Sequence, residues 1–515
     1  MQRAGRSPLF RAVRRAFQAA RLRSHEGTLG VGDRPGIGRR RFLASGVLAA
    51  AYAARPGVAR AGRHAPRIAV VGAGIAGLNA TYLLANAGLD AALYEGSDHI
   101  GGRIQTNHGG VAPGVYTELG GEFIDSGHDD MLALAQAFGL GLIDTQAPGE
   151  AGLQVAYYAK GRLRSEAEVI DAFGPLAATV DGDSSNLSDD ITFQSHSKFD
   201  VRLDRTPLDH YLRKNAGVDW LYDILEAAYV NEFGLDLKDQ STLNFVETIG
   251  TDTSAGFAIY GESDQRFKIL GGNHQVVAAL AERVADRTEL AHRLEAIARR
   301  ADGTFSLTFQ APGGRRNATA DYVVLCLPFT TLRSVDIRVP LPPIKQKAIH
   351  ELGYGVDAKL ILGFQGRPWR DLGYGGDSYA DLPYQSGWDS SREQATTAGA
   401  YTIYPGGDAA LALQPGTAHH QAERLLPGLD RVFPGARSRW LGTALRAYWP
   451  GNPFIRASYA AYRPGQWTTI RGAEGLPVGR LSFAGEHTSL DWQGYMNGGA
   501  ESGRLAAEAL IARLA

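Results

Sequence analysis

The chain has 515 residues, 44% hydrophobic and 21% charged, enough to bury a large core in two or more domains. Its 53 basic and 54 acidic residues leave a formal net charge of -1, so no whole-molecule field draws in nucleic acid or an acidic polymer. One cysteine, Cys326, excludes an intramolecular disulfide and any thiolate cluster for zinc or iron–sulfur.

The first 66 residues read as an export leader. Residues 1–41 are arginine-rich, almost free of acids, and end in Arg39-Arg40-Arg41-Phe42-Leu43, which fits a twin-arginine signal. The apolar stretch from Leu43 to Ala54 is shorter than the roughly 20 residues of a stable membrane span. Ala59-Arg60-Ala61 then forms a small-x-small cleavage site. The order predicts a mature chain beginning near Gly62, periplasmic or secreted, exported already folded. A disordered basic arm or an uncleaved anchor is the competing reading.

From Arg67 the pattern changes. Ile68-Ala69-Val70-Val71 is a short apolar strand, and Gly72-Ala73-Gly74-Ile75-Ala76-Gly77 opens a helix through Leu78, Leu83 and Leu84 that stops at Gly88. A second strand, Ala91-Ala92-Leu93-Tyr94, delivers Glu95 about 20 residues past the glycines, where a carboxylate can accept hydrogen bonds from a ribose. Gly72 makes the tight turn, Gly74 lets the backbone approach a pyrophosphate, and Gly77 lets helix and sheet pack closely. The helix N-terminus offers oriented N–H donors for phosphate. A structural βαβ unit without ligand is the alternative. Ile100-Gly101-Gly102-Arg103-Ile104-Gln105-Thr106 and Glu118-Leu119-Gly120-Gly121-Glu122-Phe123-Ile124 come next. A nicotinamide enzyme has no need of this second glycine pair; in a flavin enzyme bare backbone passes close to the cofactor while Arg103 compensates its diphosphate charge.

Further along, Leu221-Tyr222-Asp223-Ile224-Leu225-Glu226 is helical in pattern, and residues 181–198, rich in Ser and Asp, read as an exposed loop. Cys326 lies in the apolar run Tyr322-Val323-Val324-Leu325-Cys326-Leu327 and reads as a packed side chain, not a nucleophile. No metal-ligand cluster is apparent; His128 and His487 read as surface or cofactor-shell residues.

In these glycine motifs the sequence resembles the flavin-containing amine oxidase family, which includes monoamine oxidases, polyamine oxidases and L-amino-acid oxidases. The resemblance continues in Phe267-Lys268-Ile269-Leu270-Gly271-Gly272-Asn273, in Leu294-Glu295-Ala296-Ile297, in residues 321–328, in Ala358-Lys359-Leu360, in Phe483-Ala484-Gly485-Glu486-His487-Thr488, and in residues 492–500. It implies FAD held by Gly72, Ala73, Gly74, Ile75, Ala76, Gly77, Glu95, Gly96, Gly102, Arg103, Gly120, Gly121, Glu122, Phe123, Leu294, Gly485, Glu486, Tyr495 and Met496. It also implies transfer of a hydride equivalent from the carbon bearing the amine nitrogen to flavin N5, giving an imine, with dioxygen reduced to hydrogen peroxide.

Lys359 matches the family's lysine that holds a water against flavin N5, and a lone cation between apolar strand neighbours needs such a reason. A strand-edge lysine with a solvated head is the plainer reading. Tyr459 and Tyr495 fall where two family aromatics flank the substrate, and Trp492 completes the wall. Core packing is the alternative for each tyrosine. Some members tether FAD through a cysteine at the position of Ser458, so the flavin here is expected to be bound without a covalent bond. The family's amino-acid oxidases carry an arginine for the substrate carboxylate just after the segment 120–126; this chain has Glu122 and Asp125 there. The departure favours an amine, though Arg446 or another arginine could fold into the site.

The expected fold is α/β: a discontinuous, Rossmann-like, doubly wound FAD domain from residues 67–125, 265–340 and 470–515, with an α+β substrate domain from 126–264 and 341–469. Expected partners are a small amine, dioxygen and the twin-arginine export machinery, with a homodimer allowed and neither nucleic acid nor a stable membrane span. Four readings stay open: amine oxidase, L-amino-acid oxidase, desaturase-like flavoenzyme on an apolar substrate, and flavin binder without turnover.

Overall fold

The structure, a computed structural model, describes residues 65–515. All of the expected leader except Ala65 and Pro66 lies outside the described residues. Ile68–Val71 forms the centre of a five-stranded parallel sheet ordered Leu481–Phe483, Tyr322–Leu325, Ile68–Val71, Ala91–Tyr94, Thr288–Glu289. Its three central strands are continuous apolar runs because both faces are covered. Ile68 and Val70 face a helical layer, Ile75–Asn86, His274–Arg283, Asp129–Ala137 and Met496–Leu514. Ala69 and Val71, one residue out of phase, face the other side, where a four-stranded sheet packs through Phe305, Leu307 and Phe309. The result is a three-layer, mixed α/β unit.

A second sheet has seven strands, ordered Trp440–Tyr448, Ala358–Phe364, Gly399–Ile403, Ser386–Asp389, Tyr374–Ala380, Gln154–Ala159, Arg162–Arg164. Five helices between Glu166 and Val246 pack through Phe173, Leu225 and Tyr229 on its Tyr157 side, and Ala418–Val432 covers another face through Leu425 and Leu429. Every residue of Ala358–Phe364 is buried.

Two expectations change. Residues 181–186 are the end of the helix Glu166–Asn186, and only residues 187–197 are irregular, up to the helix Lys198–Arg205. The helix Glu166–Asn186 starts at a Ser165–Glu168 capping box and is anchored by Val169, Phe173, Leu176, Ala177 and Val180, so its polar Ser/Asp tail extends a stripe already fixed by packing. Met131, Leu134 and Ala135, and on the other face Ile349, Leu352, Tyr354, Ala457, Ala460 and Tyr462, belong to the cores flanking the parallel sheet, although sequence alone assigns their segments to the substrate domain. Segments connecting the two sheets pack on the parallel one at either end, which local sequence does not reveal.

Candidate active site

Gly72 turns at φ +105° and donates its N–H to Tyr94 O at 2.7 Å. A Cβ at Gly77 would lie 1.9 Å from Gly72 O, so only glycine lets helix and strand meet here. At Gly74 the opposite holds: nothing lies within 4 Å of where a Cβ would be. The 12-residue helix behind it has no side-chain cap and no acid in its first turn, leaving oriented N–H groups toward that opening. Ala73 N donates to Glu95 Oε2 at 2.7 Å, while Ser97 N and Oγ donate to Oε1, both at 2.8 Å. His292 N bonds Glu95 O at 2.7 Å, bringing Gly96 and Leu294 beside the same acid; the Leu294 side chain itself is buried in the core.

The other glycine motifs converge on this loop. Gly74 bridges Gly101, and a Cβ on Gly102 would stand 3.4 Å from Gly74 Cα. Gly120 packs on Arg103 O, Gly121 on Met496, and Gly499 and Gly503 of the closing helix on Ile75 and Ala76. That closing helix, 19 residues long from Met496, also lacks a side-chain cap. Two uncapped helix starts, an open Gly74 and the Glu95 carboxylate held beside the loop fit a dinucleotide diphosphate. Arg103 Nη1 donates to Glu486 Oε1 at 2.9 Å and to Ser458 O at 2.7 Å, which fixes the guanidinium between the first and last motifs. Glu486 Oε2 in turn accepts from Gly494 N at 2.9 Å, which ties the first and last motifs together. Gly485 is held by Ser502 Oγ, 2.9 Å from its N.

Lys359 is 4% exposed on a fully buried strand. Its Nζ donates to Glu122 Oε2 at 2.7 Å and to Glu118 O at 3.1 Å. Lys268 Nζ donates to the other oxygen, Oε1, at 2.8 Å and to Ser390 O at 3.1 Å. One carboxylate thus lies between two ammoniums, a buried trio with net charge of one positive unit. Burial pushes the Glu122 carboxyl up, and the two lysines, through charge and hydrogen bonds, more than reverse this and hold it at about 2. Phe123 lies 5.7 Å from Lys268 Nζ, and Trp388 lies 5.1 Å from Lys359 Nζ.

Tyr459 and Tyr495 meet through residue 232. The Tyr459 hydroxyl is 3.0 Å from the carbonyl of Glu232, and the Tyr495 hydroxyl donates to Glu232 Oε1 at 2.8 Å. Gly494 lets Tyr459 approach: a Cβ there would meet its ring at 3.3 Å. Trp492 stands perpendicular to His128, centroids 4.8 Å apart, and His128 also contacts Tyr495 at 5.2 Å. Burial lifts the Glu232 carboxyl to about 7, helped by the charge of Asp125; burial likewise raises Asp125 to about 6 and lowers His128 to about 4. Ser458 donates to Asp357 Oδ2 at 2.5 Å, and burial holds Asp357 well above the usual carboxylate range.

Tyr404 joins the two groups, its hydroxyl 3.2 Å from that of Tyr459 and its ring 6.0 Å from Lys359 Nζ, so the site gathers Lys359, Tyr459, Tyr495, Trp492 and Glu122 with residues that sequence reasoning did not single out: Lys268, Glu232, Asp357, Trp388 and Tyr404. Lys268 carries the same signal as Lys359, a lone cation between Phe267 and Ile269 on a strand. Arg446 stays away, its Nη1 donating to Leu413 O at 2.6 Å and Gln414 O at 2.8 Å. The Cys326 thiol is pushed up to about 12 by burial. His128 and His487 are both buried, not at the surface; His487 packs on Phe329 at 4.4 Å. Among the described residues no group of three or more His, Cys, Asp or Glu could hold a metal ion, and no helix is long and apolar enough to cross a membrane.

The chain is similar to the L-amino-acid oxidase of Vipera ammodytes ammodytes, 25% identical over 85% of this chain and 91% of that protein, and to that of Daboia russelii, 26% identical over 85% and 88%. In fold it is similar to cyclohexylamine oxidase from Brevibacterium oxydans IH-35A, with TM-score 0.76, 20% identity, and 88% and 100% of the chains covered. It is also similar to putrescine oxidase bound to putrescine, with TM-score 0.72, 19% identity, and 87% and 99% covered. These folds agree with a Rossmann-like FAD unit joined to a substrate unit. Residues 75–511 match the sequence family of flavin-containing amine oxidoreductases, and the chain belongs to that family as an FAD-dependent oxidoreductase.

Proposed function

We propose that the chain oxidises an amine, converting R–CH2–NH2, O2 and H2O to an aldehyde, NH3 and H2O2. FAD, when bound, supplies the acceptor for the hydride equivalent; the protein supplies orientation, a dry pocket and control of protonation. The observation that carries the amine reading is Glu232, a carboxyl bonded to Tyr495 with no basic side chain paired to it among the described residues. With the charge of Asp125 nearby, this acidic face attracts an ammonium and repels an α-carboxylate. Arg103 is committed to Glu486, and Arg446 to backbone carbonyls elsewhere. Lys359 has two of its three donors engaged and retains one for a water. Ser458 at the tethering position, and a thiol at Cys326 in a different motif, support non-covalent FAD.

A second reading, L-amino-acid oxidase, is favoured by the snake-venom relatives. A peroxide-coupled screen of amines and amino acids on the purified protein separates them. Peroxide from amines supports the proposal, and peroxide only when an α-carboxylate is present overturns it.

A further inference from the structure

Glu232 sits in the last turn of the helix Asp219–Phe233, in the layer that covers the seven-stranded sheet. Of its two oxygens, Oε1 accepts from Tyr495, and no donor among the described residues bonds to Oε2. Tyr495 bonds its carboxylate and Tyr459 its backbone carbonyl, while Tyr404, Tyr229, Tyr260 and Tyr379 lie within its electrostatic reach. Asp125 adds negative charge, and Asp357, a carboxyl that burial keeps well above its usual range, lies within reach as well. All of these are acids or phenols. A half-buried carboxyl without a counter-cation either takes up a proton or pairs with a cation that arrives, and the cation this site would receive is the substrate.

An amine with an ordinary pKa near 10 reaches the enzyme as an ammonium, whose nitrogen lone pair is occupied. It must lose a proton before its carbon can give up a hydride equivalent. Resting on the amine-oxidase reading above, we infer that Glu232 receives the substrate as an ammonium ion and takes the proton it has to lose. In that step one N–H bond of R–CH2–NH3⁺ breaks, an O–H bond forms at Glu232 Oε2, and the electron pair remains on nitrogen. Burial supports the transfer, since it lifts this carboxyl to about 7 and narrows its gap from the amine. The Tyr495 bond to Oε1 leaves Oε2 to face the substrate.

The test uses the full-length, FAD-loaded protein and two amines without a hydrogen on the carbon bearing nitrogen, tert-butylamine and α,α-dimethylbenzylamine, which bind without turnover. Isothermal titration at about pH 8 in buffers of different ionisation enthalpy counts protons exchanged per amine bound. Wild type is expected to release close to none, because the ammonium's proton stays in the complex. Glu232→Gln preserves the acceptor for Tyr495, must bind the neutral amine, and is expected to release about one proton per amine with at least about tenfold weaker affinity. Release of about one proton by wild type overturns the inference whether or not the variant folds. So does an unchanged count in Glu232→Gln, or the absence of any binding to wild type. Failure of the amine-oxidase reading shows itself separately, as no peroxide from any amine.

Discussion

Replacing Glu122 with glutamine keeps the side chain's size and removes the negative charge bonded to the ammoniums of both Lys268, at 2.8 Å, and Lys359, at 2.7 Å. At an effective permittivity near 20, each contact is worth about 6 kcal/mol before desolvation, and a buried ion left unpaired costs about 3–5 kcal/mol net. The fall of this carboxyl from 4.5 to about 2 gives a similar size, about 3 kcal/mol. At roughly 2 cal/mol/K per residue of unfolding entropy, that lowers the melting temperature by about 3 °C. Because the folded value is depressed, the stabilisation is complete above the unfolded value of 4.5 and is lost as pH falls toward about 2. Differential scanning calorimetry of the FAD-loaded wild type and Glu122→Gln should therefore show a gap at neutral pH that closes from about pH 4.5 downward. Equal melting temperatures at neutral pH, or a gap that widens toward acid, would refute the argument.

Gly77→Ala, whose Cβ would lie 1.9 Å from Gly72 O, should lower stability by about 1–3 kcal/mol and loosen FAD together, whereas Gly74→Ala should leave the apoprotein's melting unchanged and weaken FAD by about tenfold or more; flavin titration and melting on both variants check this. Lys359→Met leaves the Lys268–Glu122 pair intact, so flavin content should hold while peroxide production per flavin falls about tenfold or more; unchanged turnover would remove Lys359 from the chemistry. Acid precipitation should release the yellow cofactor into the supernatant, and flavin retained in the pellet would mean a covalent bond. Mass spectrometry of the periplasmic and secreted fractions should find a chain starting near Gly62, and its absence from both would contradict the twin-arginine reading.

The glycine loop is legible in sequence because glycine spacing encodes backbone geometry within a few residues: the turn at Gly72 and the helix contact at Gly77 are local facts. Lys359 is legible as an isolated cation on an apolar strand. What escapes is pairing across the chain. Lys268 carries the same signal, but it gains meaning from Glu122, 146 positions away, and Arg103 meets Glu486 at a separation of 383. Glu232 lies 263 positions from Tyr495, on a helix whose other buried residues serve the core. The loop expected over 181–198 fails for a similar reason, since the capping box and apolar stripe upstream decide how far the helix runs.

Anaerobic mixing of the FAD-loaded protein with primary amines, and separately with L-amino acids, tests the central claim most directly. The account predicts that an amine lacking a carboxylate bleaches the yellow flavin absorbance while the matching amino acid does not. Bleaching by amino acids alone, or by neither class, would contradict it.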